Sequence, residues 1–239
     1  MNTNTTVNQS NNDPETRGKI VRRGIQVVIQ LLILMAALFI SAGDLGWVWA
    51  WAYFGVGAGI LMVNMLVLPR EVIVERGQAR KEGVKGWDKA ISVFTAIAAF
   101  GVPIVAGLDE RLGWSPQLGL TVHIVGLIFI ALGQGLFTWA MTANKFFSTL
   151  VRIQDERGHA VASGGPYRHV RHPGYVGYIT AAFATALALG SLWALVPAGL
   201  GMCAFVVRTS LEDRTLQEEL AGYEEYAQRV RYRLLPGVW

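Results

Sequence analysis

Residues His159 to Tyr175, H-A-V-A-S-G-G-P-Y-R-H-V-R-H-P-G-Y, gather three of the chain's four histidines, two arginines, two tyrosines and two prolines in 17 residues. Apolar segments flank this run, which puts it at the edge of a membrane. Ionisable groups are costly there and usually line a functional cavity. Ser163-Gly164-Gly165-Pro166 is a turn signal. Pro173 suits the first turn of a helix, where its missing N–H costs nothing, and the free backbone N–H groups of such a turn can receive a carboxylate. The three histidines lie on a loop with neither an H-x-x-x-H pair nor a C-x-x-C partner, so no metal site is expected. The absence of G-x-G-x-x-G argues against a dinucleotide-binding Rossmann unit.

A second constellation follows the next apolar hairpin. Arg208 and Glu212 are four residues apart and share a helix face. The hairpin returns that helix to the membrane side that carries His172, so an arginine, a glutamate, a histidine and tyrosines can converge on one pocket. Two plainer readings stand beside this one. Arg208 can simply snorkel from a helix end, and the pair can be an ordinary salt bridge.

The elements that must position these residues are membrane helices. The chain is 52% hydrophobic and 16% charged, against about 25% charged in soluble domains. Ile25–Ile40, Leu45–Leu68, Ala90–Leu108 and Leu118–Met141 are long enough, or nearly so, to cross a core that takes about 20 helical residues. Tyr175–Leu189 and Leu192–Val207 form a further hairpin broken at Gly190-Ser191, with arms that span only if their ends extend the helix. The fold class expected is an all-α integral membrane bundle of about six hydrophobic helices, the last two a short hairpin. A net charge of +4 does not signal nucleic acid, because of the 21 Lys and Arg residues all but Arg111 fall in alternate loops. The positive-inside rule assigns those loops, both termini and the histidine cluster to the cytoplasm.

Three regions follow: a disordered Asn- and Thr-rich tail over residues 1–16, a four-helix transmembrane region over 17–143, and a cofactor loop, hairpin and C-terminal helix over 144–239. Trp47, Trp49, Trp51 and Tyr53 read as an interfacial aromatic belt. Gly55, Gly57 and Gly59 read as a small-residue patch for close helix packing. His123 is expected to be hydrogen-bonded within the bundle, and Cys203 to be a buried small apolar residue. Gly222 is expected to weaken or break the polar C-terminal helix.

From Asn144 to Pro236 the chain resembles the isoprenylcysteine carboxyl methyltransferase family, membrane enzymes that use S-adenosylmethionine. The resemblance rests on Gln154, on His159-Ala160-Val161-Ala162-Ser163-Gly164, on Gly165-Pro166-Tyr167 and on Arg171-His172-Pro173-Gly174-Tyr175-Val176-Gly177. Arg208-x-x-x-Glu212, Tyr223-x-x-Tyr226 and Leu235-Pro236 complete it. It implies cofactor contacts from Gln154, His159, Ala160, Val161, Ala162, Tyr167, His172, Pro173, Gly174, Tyr175 and Glu212. Arg208 matches the arginine that faces the methyl acceptor, so Arg208 and Glu212 are the catalytic pair expected. The acidic pair reads Glu212-Asp213 where two glutamates are common in the family.

The implied function is methyl transfer from S-adenosylmethionine to a lipophilic acceptor, a small molecule or lipidated substrate that enters from the bilayer. Membrane lipids, not nucleic acid, are its surroundings. Its likeness to bacterial-type members points to a bacterial inner membrane. A carboxylate acceptor, with a pKa of about 4, is already ionised at neutral pH and needs no general base. The competing readings are a phospholipid amine N-methyltransferase, an NADPH-dependent sterol- or enone-reductase-like enzyme, and a non-catalytic membrane scaffold.

Overall fold

A computed structural model describes residues 14–77 and 83–239, and within them all regular structure is helical. Five helices are long and apolar enough to cross a membrane: α1 (Pro14–Ala42), α2 (Val48–Val67), α4 (Gly86–Leu112), α5 (Leu120–Ala143) and α7 (Leu195–Glu219). Their outward faces carry large apolar side chains such as Ile40, Leu66 and Ile97. In water such a surface would aggregate, whereas in lipid it is the solvated face, and the helices satisfy their own backbone groups. Between these lie α3 (Arg70–Gly77), α6 (Pro173–Ala188) and α8 (Tyr223–Arg229).

The last hairpin is α6 and α7. The 16 residues of α6 span about 24 Å, short of a bilayer core. Its turn nevertheless reaches the end of the bundle that carries the α4–α5 loop. Ser191 Oγ donates to Asp109 Oδ2 at 2.5 Å, and Leu192 N–H to Ser115 Oγ at 2.9 Å. The α1–α2 turn is at the same end, with Arg111 packed over Gly43. The shortfall of α6 therefore lies entirely at its N-terminus, which stops inside the bundle and leaves room for a cavity. With 25 residues, α7 continues past that point and carries Arg208, Glu212 and Asp213 to the loop.

Close packing of α5 on α6 fixes the hairpin. A Cβ at Gly133 would lie 2.7 Å from Gly177 O, and one at Gly177 would collide with Gly133 O. Backbone meets backbone at this crossing, as small residues allow between membrane helices. By contrast Gly55, Gly57 and Gly59 of α2 have nothing within 4 Å of an added Cβ, so the expected packing patch lies elsewhere, at Gly133 and Gly177.

Other expectations are corrected in the same way. Trp47 is buried in the main core with Phe39, Phe54 and Val102, and Trp49 stacks on His123 at 4.0 Å, so only part of the expected belt faces outward. His123 Nδ1 lies 2.9 Å from Ala188 O; a carbonyl only accepts, so Nδ1 carries the proton, as a bundle-bonded histidine should. Cys203 is exposed, because the outside of a membrane helix is as apolar as the inside. The first helix starts at Pro14, inside the segment expected as a tail, while residues 1–13 lie outside the described residues. Gly222 does end the helix: at φ 79° it separates α7 from α8.

Candidate active site

The loop between α5 and α6 has little regular structure, so side chains must hold it. Gln154, 1% exposed, donates from Nε2 to Phe146 O at 2.6 Å and accepts Arg157 Nη1 at 2.5 Å. Arg152 reaches the buried Glu75 of α3 (3.2 Å), and Ser148 Oγ donates to the same carboxylate at 3.1 Å. Asp88, fully buried at the start of α4, accepts Val151 N–H at 2.7 Å. The loop is thus pinned on α3 and α4 before it reaches His159.

The second half of the loop is pinned by α7 and the C-terminal segment. Asp213, fully buried, has Arg171 Nε at 3.2 Å and His172 Nε2 at 3.5 Å. It accepts from Tyr223 OH, Gln217 Nε2 and Arg233 Nε, each at 2.9 Å. Arg171 N–H and His172 N–H donate to Tyr232 O and Arg233 O, both at 2.9 Å. Tyr226 OH donates to Tyr167 O at 2.8 Å. Tyr226, Tyr223, Leu220 and Tyr167 then close an apolar cluster beneath the loop.

A cavity of about 230 Å³ remains between this loop, the start of α6 and the end of α7. Of the residues singled out from the sequence, His159, Ala160, Val161, Ala162, Tyr167, His172, Gly174, Tyr175, Arg208 and Glu212 line it. Gln154 and Pro173 do not. The side chain of Gln154 is consumed in holding the loop, and Pro173 is buried in the first turn of α6. Residues 160–163 have no regular secondary structure and make no backbone hydrogen bond among the described residues. They present free donors and acceptors, which must find partners when buried. In the first turn of α6 the Tyr175 N–H is taken by His172 O at 3.1 Å, and Val176 N–H by the same oxygen, which leaves Gly174 N–H as the free donor.

Arg208 and Glu212 both line the cavity, but they do not pair with each other. Arg208 Nε lies 2.8 Å from Asp88 Oδ1, and Nη2 donates to Asp88 Oδ2 at 3.2 Å and Thr149 O at 2.9 Å. Glu212 instead accepts a short hydrogen bond from Tyr175 OH. The Tyr175 ring stacks on His172 at 5.6 Å and lies 5.5 Å from the Arg208 guanidinium carbon. Asp88 and Asp213 are the organising residues; the sequence showed Asp213 only as the second member of the acidic pair, and Asp88 was not singled out. Asp88 had a signal, since it is a carboxylate just before an apolar span, where a charge needs a partner.

His159 accepts Gln154 N–H at Nδ1 (3.3 Å) and sits against Phe146 at 4.6 Å. Burial lowers its pKa below the ordinary imidazole value. Arg76 of α3, not singled out from the sequence, also lines the cavity, beside Phe137 and Phe147.

A second, mainly apolar groove of about 310 Å³ lies among α1, α2, α4, α5 and α6, lined by Leu31, Leu34, Val102 and Ala181 among others. Tyr178 lines both this groove and the polar cavity. Fold and site together define an integral, multi-pass helical membrane protein with a polar cavity at one end of the bundle and an apolar groove beside it.

Residues 121–221 match a family model described as phospholipid methyltransferase. The chain is 32% identical over 112 residues to a probable protein-S-isoprenylcysteine O-methyltransferase of Oryza sativa subsp. indica, covering 46% of this chain and 59% of that one. It is 31% identical over 142 residues to protein-S-isoprenylcysteine O-methyltransferase B of Arabidopsis thaliana, covering 59% and 68%. To the Saccharomyces cerevisiae protein-S-isoprenylcysteine O-methyltransferase it is 34% identical over 115 residues, covering 45% and 46%. The chain belongs to the isoprenylcysteine O-methyltransferase family. It spans 59% of the length of the rice relative.

Proposed function

We propose that this chain transfers a methyl group from S-adenosylmethionine to the carboxylate of a lipophilic acceptor of the isoprenylcysteine type. The observation that carries this reading is the junction at Tyr178, where an apolar groove between membrane helices meets a polar cavity. An acceptor with an apolar tail and a charged head needs both. The relatives' names point to the same substrate class.

The cavity's lining fits the cofactor. The free backbone groups of 160–162, the Gly174 N–H and the Glu212 carboxylate suit its amino, carboxylate and ribose groups. His159, Tyr167, His172 and Tyr175 complete the wall. When bound, the cofactor supplies a methyl group on a positively charged sulfonium.

The chain's own part is positioning. A carboxylate with a pKa of about 4 is ionised at neutral pH, so no residue must remove a proton. Alignment of the two reacting atoms is worth up to ~7–11 kcal/mol in favourable cases, and exclusion of water strengthens it. Asp88 fixes Arg208 by Nε and Nη2, which leaves Nη1 for the acceptor. Tyr175 fixes Glu212 through its hydroxyl. The acceptor enters sideways from the bilayer, and the cavity and both termini face the cytoplasm, in accord with the distribution of Lys and Arg. The resemblance to bacterial-type members supports a bacterial inner membrane.

An amine acceptor suits the site less well: its nitrogen must lose a proton before methyl transfer, while Glu212 already accepts from Tyr175 and His172 faces Asp213. Melting curves of the purified chain test the cofactor assignment. S-Adenosylhomocysteine at 100 times its dissociation constant should stabilise by about 2.7 kcal/mol, while NADPH should have no effect. The reverse pattern would overturn the assignment in favour of a reductase.

A further inference from the structure

Arg208 cannot be the only cation that meets the acceptor, since Asp88 already neutralises it at 2.8 Å. Arg76 is different. Its guanidinium borders the cavity, 5.4 Å and 5.6 Å from the Phe137 and Phe147 ring centroids. Among the described residues no carboxylate pairs with it: its neighbour Glu75 is taken by Arg152 and by Ser148. A charge of the same sign, that of Arg23, acts on it. Arg23 of α1 packs against Gly77, the next residue in α3. Burial, and then the repulsion of Arg23, lower the Arg76 pKa to about 10, so it stays charged at neutral pH.

A half-buried cation that has aromatic rings but no carboxylate beside it is favoured when a ligand supplies the anion. One helical turn beyond Arg23, Val27 lines the apolar groove, and Leu31 and Leu34 continue that face of α1. Arg76 thus lines the cavity next to the α3 residue on which Arg23 packs, and Arg23 shares α1 with the groove-lining Val27, Leu31 and Leu34. We infer that Arg76 receives the carboxylate head of the acceptor, with Arg23 reinforcing the positive field, while the apolar tail occupies the groove. Arg76 is then a specificity-determining residue that selects anionic acceptors. This rests on the proposed methyl transfer, yet it is tested by binding alone.

The test uses the full chain and two probes, N-acetyl-S-farnesylcysteine and its neutral carboxamide, with affinities measured by titration. The carboxylate should bind the unaltered protein about tenfold tighter than the amide, the scale of one charge-assisted hydrogen bond. Arg76→Gln should cut that preference to a small remainder due to Arg208 and leave S-adenosylhomocysteine affinity unchanged, and Arg76→Lys should restore much of it. Because Arg76→Gln relieves a like-charge contact, its melting temperature should not fall. A preference undiminished by Arg76→Gln overturns the inference, as does no preference in the unaltered protein. Tighter Arg76-dependent binding of phosphatidylglycerol vesicles than of the carboxylate probe also overturns it, since the anion would then be a lipid phosphate. Labelled methyl transfer to the same probe is read separately. An Arg76-dependent preference without transfer would sink the proposed reaction and uphold the anion site.

Discussion

The proposed reaction gives two residues on one face of α7 separate tasks, and substitutions should separate them. Arg208→Lys keeps the charge but loses the planar fork that now spans Asp88 and Thr149 O. Methyl transfer should fall at least tenfold while S-adenosylhomocysteine affinity stays nearly constant. Glu212→Gln should weaken cofactor binding directly. Equal loss of affinity in both variants, measured by calorimetric titration, would reduce the pair to structural groups. Asp88→Asn removes the partner of a buried arginine and should cost about 3–5 kcal/mol, read as a lower melting midpoint; an unchanged midpoint would show that Arg208 finds another partner. The sequence made Arg208 and Glu212 visible because they are four apart. It concealed Asp88 because that partner lies 120 positions away on another helix.

At the scale of elements, the position of the short helix α6 depends on two glycines. Gly177→Ala would drive a methyl group into Gly133 O and should cost about 1–3 kcal/mol as an overpacked contact. It should also weaken cofactor binding, since α6 carries His172, Gly174 and Tyr175 into the cavity. A normal melting curve with normal affinity would show that the crossing is slack. The loop before α6 has a pH dependence of its own. His159 has a lowered pKa because of burial, and Glu156 a lowered one because Arg152 holds it at 2.8 Å. Both groups bind protons more readily in the unfolded chain, so stability rises with pH. The His159 contribution should be lost as the pH falls below about 6.5 and that of Glu156 below about 4.3. The melting midpoint should drop from pH 7 to pH 5, and His159→Gln should flatten that slope. The hairpin and its break at Gly190-Ser191 were legible in the sequence. That α6 stops short at one end only was not, because the hydrogen bonds to Asp109 and Ser115 that set its level join distant segments.

The whole molecule follows two rules of different strength. Apolar length and charge asymmetry revealed the spanning helices and the parity that puts the loop after α5 opposite the α1–α2 and α4–α5 turns. They could not reveal which face of each helix is inside, since lipid and core are alike apolar. Cys203, Trp47 and the glycines of α2 were misjudged for that reason. The proposed cytoplasmic orientation predicts that a cysteine introduced at the exposed Glu156 reacts with an impermeant reagent only from the cytoplasmic side, and one at Trp114 only from outside. The opposite pattern would invert the topology. The meeting of cavity and groove at Tyr178 is what would link the fold to the proposed reaction.

The central claim concerns the bond that is made, and one chemical property of the product decides it. The purified chain is incubated with methyl-labelled S-adenosylmethionine and N-acetyl-S-farnesylcysteine in lipid, and the labelled product is treated with mild base. A methyl ester saponifies and releases its label as volatile methanol, whereas a methylated amine keeps it. The account predicts label in the farnesylcysteine product that base releases, and loss of that product in Glu212→Gln. Base-stable label in the headgroup of a phospholipid would contradict it.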